Sequence, residues 1–299
     1  MAARATRSAS RKARVTEAVA TGPFGALSHD ELGVIVDGLA DPLQPVVAVA
    51  LSSTCLGLRT PLQAALQVLR QRHERALALC RKLDKSCAEV RGAETLYASG
   101  HLVADDVATL GMILCTNGLP CLRDLRLDGN DFGDAGVQGL CEGLGRGAAP
   151  SLRILDLSCN SFGPAGAEAL AAALGRGATP KLEVLGIYQN PIGNQGVAAL
   201  AAPLRKMPGL DRLYLWDCKI GDEGVASLVD NLGKDDFKKL TRLDLDYNKI
   251  TDAGVAKLLA ALDAGGLPKL VNQLCLLKGS PASAVAVEAV NHALAKRSQ

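Results

Sequence analysis

The residues with the best-spaced chemistry are carboxylates. Asp244 and Asp246 share one face of an alternating segment, as do Asp124 and Asp128 at twice that spacing. Acid–base catalysis by paired carboxylates needs unequal surroundings, one group buried and one solvated. These four are expected to be exposed, so no acid–base role follows. His29, His73, His101 and His292 are dispersed, and none stands beside a serine or cysteine in a nucleophile setting. His73, Cys80 and Cys87 follow one another at steps of seven. On one helix such steps separate them by about 10 Å along the axis, too far for a single metal with ligand bonds of about 2 Å. Gly143, Gly145 and Gly147 suggest a phosphate loop, but such a loop opens a helix after a strand, and this stretch follows a helix. The sequence therefore leads us to expect no enzyme, no catalytic residue, no metal site and no cofactor.

The other chemistry in the chain is that of recognition. Of four tyrosines and one tryptophan, Tyr188, Tyr214, Trp216 and Tyr247 fall on or beside three successive alternating segments. Arg212 and Arg242 flank them on one side, with Asp217, Asp244 and Asp246 on the other. Exposed aromatic rings with arginine are the usual composition of protein-binding hot spots. These nine residues are the candidate partner-binding set. The fifth ring, Tyr97, is expected in a core position.

The elements that must position them are repeats. Leu122, Leu125, Leu127, Asn130 and Phe132 set a figure that returns from Leu152, Leu182, Leu210 and Leu240. Its third apolar residue recurs at Leu127, Leu157, Ile187, Leu215 and Leu245, in steps of 30, 30, 28 and 30. Each copy alternates over a few residues, predicting a short strand with one buried face. Apolar or small residues then recur every four, as at Gly136, Leu140 and Leu144, predicting a helix. Asn130, Asn160, Asn190 and Asn248 stand where the chain leaves the strand, with amides suited to otherwise unpaired backbone groups; Cys218 takes that place once. Gly145, Gly175 and Gly233 follow the last helical leucine and suit a left-handed helix stop. A degenerate copy spans Tyr97 to Leu114, with Tyr97 aligned to Leu127, and a drifting last copy begins at Leu270.

Five aligned copies of strand then helix resemble the leucine-rich repeats of the ribonuclease-inhibitor type, over residues 92–299. The resemblance implies an α/β leucine-rich repeat solenoid, with parallel strands on the concave face, helices on the convex face, and the candidate aromatic set on the concave side. It also implies a protein target and no small-molecule substrate.

An all-helical module is expected ahead of the array. Residues 1–21 carry Arg4, Arg7, Arg11, Lys12 and Arg14 against one acid, Glu17, and read as a disordered basic tail, or alternatively as an organelle transit peptide. Residues 22–59 hold a Ser28 to Glu31 capping box and a short apolar face of Leu32, Ile35, Val36 and Leu39. With Leu27 before them and Val49, Cys55 and Arg59 after, they resemble an F-box, although the opening proline is absent and Leu58 stands in the usual tryptophan place. That resemblance implies docking to the adaptor subunit of a cullin-type ubiquitin ligase through Leu27, Leu32, Ile35 and Leu39. The other reading is a helical cap over the open end of the array. Residues 60–91 are expected to form one long amphipathic helix, its apolar stripe running from Leu62 to Val90.

Composition agrees with a packed array. Aromatics are 3% of a chain that is 48% hydrophobic, so leucine, valine and alanine must fill the core. A net charge of +2 gives no general attraction to nucleic acid or membrane. Nine scattered cysteines without metal spacing read as reduced thiols of an intracellular protein, in the cytoplasm or nucleus. No apolar run is long enough for a membrane span.

Overall fold

The computed structural model describes residues 41–54, 63–116, 119–145, 148–270 and 277–297. Among the described residues three helices lead: α1 (Val46–Thr54), α2 (Gln63–Lys82) and α3 (Cys87–Gly92). Strands and helices then alternate: β1 (Thr95–Tyr97), α4 (Ala104–Cys115), β2 (Asp124–Arg126), α5 (Gly133–Gly143), β3 (Ile154–Asp156), α6 (Pro164–Gly175), β4 (Val184–Gly186) and α7 (Gly193–Arg205). The series ends with β5 (Arg212–Tyr214), α8 (Asp222–Val229), β6 (Arg242–Asp244), α9 (Asp252–Asp263) and α10 (Ala284–Lys296).

The six strands form one open parallel sheet in sequence order. Leu96, Leu125, Leu155, Leu185, Leu213 and Leu243 pair in register as a column across it, each at most 2% exposed. Strands repeat at about 4.8 Å while helices are about 10 Å across. A stack with strands on one side and helices on the other must therefore curve toward its strands, which makes the outward strand face concave. Small residues moderate the curvature by letting helices approach closely. A Cβ at Gly139 would lie 2.5 Å from the Cβ of Ala108, and one at Gly196 would lie 2.9 Å from that of Ala167.

Two ladders of polar side chains tie the repeats together. On the strand side the asparagines behave as the spacing suggested. Asn160 donates from Nδ2 to the carbonyls of Leu127 and Leu157 at 2.7 and 3.0 Å, and its Oδ1 accepts the Asn130 N–H at 2.9 Å. The second ladder, absent from the sequence reading, joins the starts of the helices. Asp134 Oδ1 accepts from the N–H groups of Gly163 and Gly166 at 2.8 and 2.7 Å. Asn194 accepts from Gly221, Asp222 from Thr251 and Gly254, and Asp252 from Ser283. Each side chain thereby supplies acceptors to the unpaired N–H groups at the start of the next helix.

The structure corrects the sequence reading in several places. The expected single helix over 60–91 is divided between α2 and α3. Asp84 is left-handed (φ 51°), and the Lys85 N–H bonds back to the Cys80 carbonyl at 3.0 Å, a Schellman stop. Ser86 and Glu89 then form a reciprocal capping box that starts α3. The fold-back brings Cys80 Sγ within 3.5 Å of Cys87 Sγ, so the spacing argument from one continuous helix does not hold for that pair. His73 Nδ1 contacts the Pro42 carbonyl at 2.6 Å, away from both thiols. None of Gly145, Gly175 and Gly233 is left-handed; α6 runs through Gly175, and Gly177 (φ 76°) and Asn231 (φ 55°) take the positive-φ places near those two helix ends.

Tyr97 is not in the core. Leu96 pairs with Leu125 and Tyr97 with Arg126, one residue out of the expected alignment with Leu127. A one-residue shift turns a strand side chain to the opposite face, and Tyr97 is 60% exposed. Leu27, Leu32, Ile35 and Leu39, and the basic segment 1–21, lie outside the described residues. Leu43, Ala76, Leu79, Cys80 and Val90 share one continuous core with Leu96 and Leu102.

Candidate binding surface on the concave sheet

The outward positions of β4, β5 and β6, and the residues just beyond them, carry most of the candidate set. The register runs Gly186 to Tyr214 to Asp244, which sets Tyr188, Trp216 and Asp246 side by side two residues later. The ladder continues there: Gln189 N–H donates to the Trp216 carbonyl at 3.0 Å and Asp217 N–H to the Asp246 carbonyl at 2.9 Å. Adjacent parallel strands thus hold two rings at stacking distance. Tyr188 and Trp216 lie with centroids 4.7 Å apart and planes within 13°, and Trp216 meets Tyr247 edge-on at 6.4 Å. Tyr247 is left-handed (φ 54°), and its N–H bonds to the Lys278 carbonyl at 2.6 Å. It leaves the strand line and stands at the rim, half exposed.

Tyr214 belongs to a separate contact, with the Arg242 guanidinium 5.3 Å from its ring centroid. Arg212 turns aside to Asp211 at 3.2 Å. Asp217 is exposed beside Trp216.

Asp244 and Asp246 depart from the expected exposure. Asp246 is 7% exposed and Asp244 is half-buried. Asp244 Oδ1 accepts the Asp246 N–H at 3.2 Å, and Asp246 Oδ1 accepts the Lys278 N–H at 2.7 Å. Burial pushes both carboxyls above the ordinary range, against the pull of these backbone hydrogen bonds. Their geometry binds the segment after α9 to the edge of the sheet. Among the described residues, no group of three or more His, Cys, Asp or Glu side chains could hold a metal ion, and no helix is long and apolar enough to cross a membrane.

Three features of this surface were missing from the candidate set. Tyr97 joins the concave face beside Arg126. Gly186 opens a gap in a row of large residues, and Asp156 leans into it: a Cβ there would meet Asp156 Oδ1 at 2.7 Å. Asp128, Asp156 and Asp217 gather around the Tyr188 end of the aromatic row. Burial raises the Tyr188 hydroxyl and the Cys159 thiol first; Asp156 and Asp128 raise both further, and Asp217 adds to the effect on Cys159. The signal available in the sequence was a glycine at an outward strand position.

Comparison with known families agrees with the geometry. The leucine-rich repeat family matches residues 118–141, 148–171, 210–229 and 238–259. No curated protein matches the chain significantly. Domains of this kind generally bind protein partners. The four matched copies, the six in-register parallel strands and the asparagine ladder between them give the chain the fold of an α/β leucine-rich repeat solenoid.

Proposed function

We propose that the protein is a recognition scaffold that holds a protein partner on its concave sheet, with the Tyr188, Trp216 and Tyr247 row at the centre of the contact. The observation that carries this reading is the stacked, partly exposed aromatic row on an open sheet, flanked by Arg242 on Tyr214. Rigid aromatic side chains lose little conformational entropy on binding, and rings with arginine concentrate interface energy. Trp216→Ala is the test. Partners retained from a lysate by the intact chain should be lost by the variant while the thermal midpoint stays nearly unchanged. A large drop in midpoint with partner retention intact overturns the reading.

A second reading concerns the N-terminal module and has one observation in its favour. Val46, Val47 and Val49 on α1 are 66%, 53% and 48% exposed, an apolar patch that suits a protein contact. With the F-box resemblance of residues 22–59, this supports docking to the adaptor subunit of a cullin-type ubiquitin ligase. The competing role, a cap on the array, is supported by the packing of Leu79, Cys80 and Val90 into the first repeat. Titration of the full chain against a purified adaptor separates them. Binding lost on Leu32→Asp or Leu39→Asp in a folded chain supports the ligase role, and no binding by the folded chain leaves the cap.

A further inference from the structure

We infer that the concave face is built to take a basic segment of its partner, with arginine or lysine side chains lying over the Tyr188 and Trp216 rings and among Asp128, Asp156 and Asp217. This deepens the recognition reading above and rests on it. The residues just beyond β2 to β6 form the row Asp128, Ser158, Tyr188, Trp216 and Asp246. The ladder that holds the row runs from Gly129 N–H to the Ser158 carbonyl at 3.0 Å and from Cys159 N–H to the Tyr188 carbonyl at 2.9 Å. Trp216 covers one face of Tyr188. On the opposite side the neighbour in the row is Ser158, which is fully buried beneath its neighbours. Asp128 stands two strands from Tyr188, roughly 10 Å at the usual strand spacing. A cationic side chain lying over the row can reach a ring and a carboxylate across that width. Asp156, leaning over Gly186 with its Oδ1 accepting the Ser158 N–H at 3.0 Å, supplies a second carboxylate.

The charges fit a cation, and among the described residues no lysine or arginine forms an ion pair with Asp128, Asp156 or Asp217. Arg126 feels the charges of Asp156 and Asp128, but its hydrogen bonds go to Asp124, from Nε and Nη2 at 3.1 and 3.0 Å. The carboxylates around Tyr188 therefore create a local negative field in a chain whose net charge is +2. A guanidinium stacks on aromatic rings and donates to carboxylates, so arginine suits both the rings and the carboxylates around them.

The test is selection of a displayed random-peptide library on the full chain, on Trp216→Ala and on the double variant Asp128→Asn, Asp156→Asn, with thermal midpoints as folding controls. The expected result is a set of binders that depends on Trp216, is enriched in arginine or lysine, and binds the double variant about tenfold more weakly. Synthetic copies of those binders should perturb the fluorescence of Trp216, the sole tryptophan, and lose the effect when arginine is replaced by glutamine. Trp216-dependent binders of neutral or acidic composition, unaffected by the double variant, overturn the cation assignment and leave the concave-face reading standing. Absence of any Trp216-dependent binder overturns both.

Discussion

The backbone N–H of Asn130 donates to the side-chain Oδ1 of Asn160 at 2.9 Å, one repeat further on. The same link joins Asn160 to Asn190 at 3.0 Å and Cys218 to Asn248 at 3.0 Å. Each asparagine also returns its Nδ2 to carbonyls of its own and the preceding repeat. The array is therefore cross-linked by polar groups inside an apolar core, where an unpaired donor or acceptor is costly.

Replacing Asn160 with alanine removes the acceptor for Asn130 N–H and the donor to the carbonyls of Leu127, Leu157 and Ser158. The carbonyl contacts are buried and the Asn130 link is partly so. The expected loss is about 3 kcal/mol, from buried groups left without partners. At the Cys218 position the thiol reaches the Ile187 and Trp216 carbonyls at only 3.3 and 3.5 Å, so Cys218→Ala should cost clearly less. Urea melts of the two variants compare them directly, and equal losses would show that the ladder adds nothing beyond packing.

The convex side makes the opposite demand, for the absence of side chains. A Cβ at Gly139 would lie 2.5 Å from Ala108 Cβ, and one at Gly143 would overlap the backbone of Gly111. Gly139→Ala should destabilise the chain by about 1–3 kcal/mol through overpacking between α4 and α5. A Cβ at Gly145 would meet nothing within 4 Å, so this position should accept alanine with little change. Thermal melts of both alanine variants test whether glycine is required only where neighbouring helices touch.

Much of this was legible in the leucine spacing, because a buried strand face and a buried helix stripe repeat at different periods and the asparagine marks the boundary between them. The missed features are those where a single residue breaks the period. Tyr97 aligned with Leu127 from the helix of its repeat, but its strand pairs one residue out of step, so the ring moved to the concave face. The Ser86 to Glu89 capping box interrupts a continuous apolar stripe, and the stripe alone reads as one helix. Asp134, Asn194, Asp222 and Asp252 recur at the repeat spacing, yet Pro164 stands in their place in one copy. The aromatic row needed only the strand register. The acidic border of that row depended on Asp156 leaning over Gly186, and an outward small residue carries no signal until its neighbours are known.

The thiols should divide sharply in reactivity. Burial pushes Cys141 and Cys218 up to about 12, and burial together with Cys87 pushes Cys80 up to about 12. Thiolate is the reactive form, so these three should be almost inert at neutral pH. Cys115 and Cys121 are exposed. Timed labelling of the native protein with an alkylating reagent, read by peptide mass, should find Cys115 and Cys121 modified before the other described thiols. Early labelling of Cys218 would mean that the repeats open locally at the β4 to β5 junction.

Two carboxylates should tilt the pH dependence of stability in opposite directions. Asp236, held by Lys206 Nζ at 2.6 Å and by the Gly233 N–H at 2.9 Å, sits below its ordinary value of 3.8, the Lys206 hydrogen bond being the largest cause. A carboxyl lowered in the native state stabilises above its unfolded value, and the contribution is lost as pH falls through the native one. Asp244 is raised above 3.8, by burial first. Its charged form is penalised in the native state, so the penalty is present above the raised value and is relieved as pH falls through it. Asp236→Asn should therefore lower the thermal midpoint at neutral pH and converge with the unmodified chain in acid. Asp244→Asn keeps an oxygen for the Asp246 N–H and should raise the midpoint at neutral pH, with the gain vanishing in acid. Parallel curves for either variant across this range would show that its carboxyl titrates alike in the folded and unfolded chain.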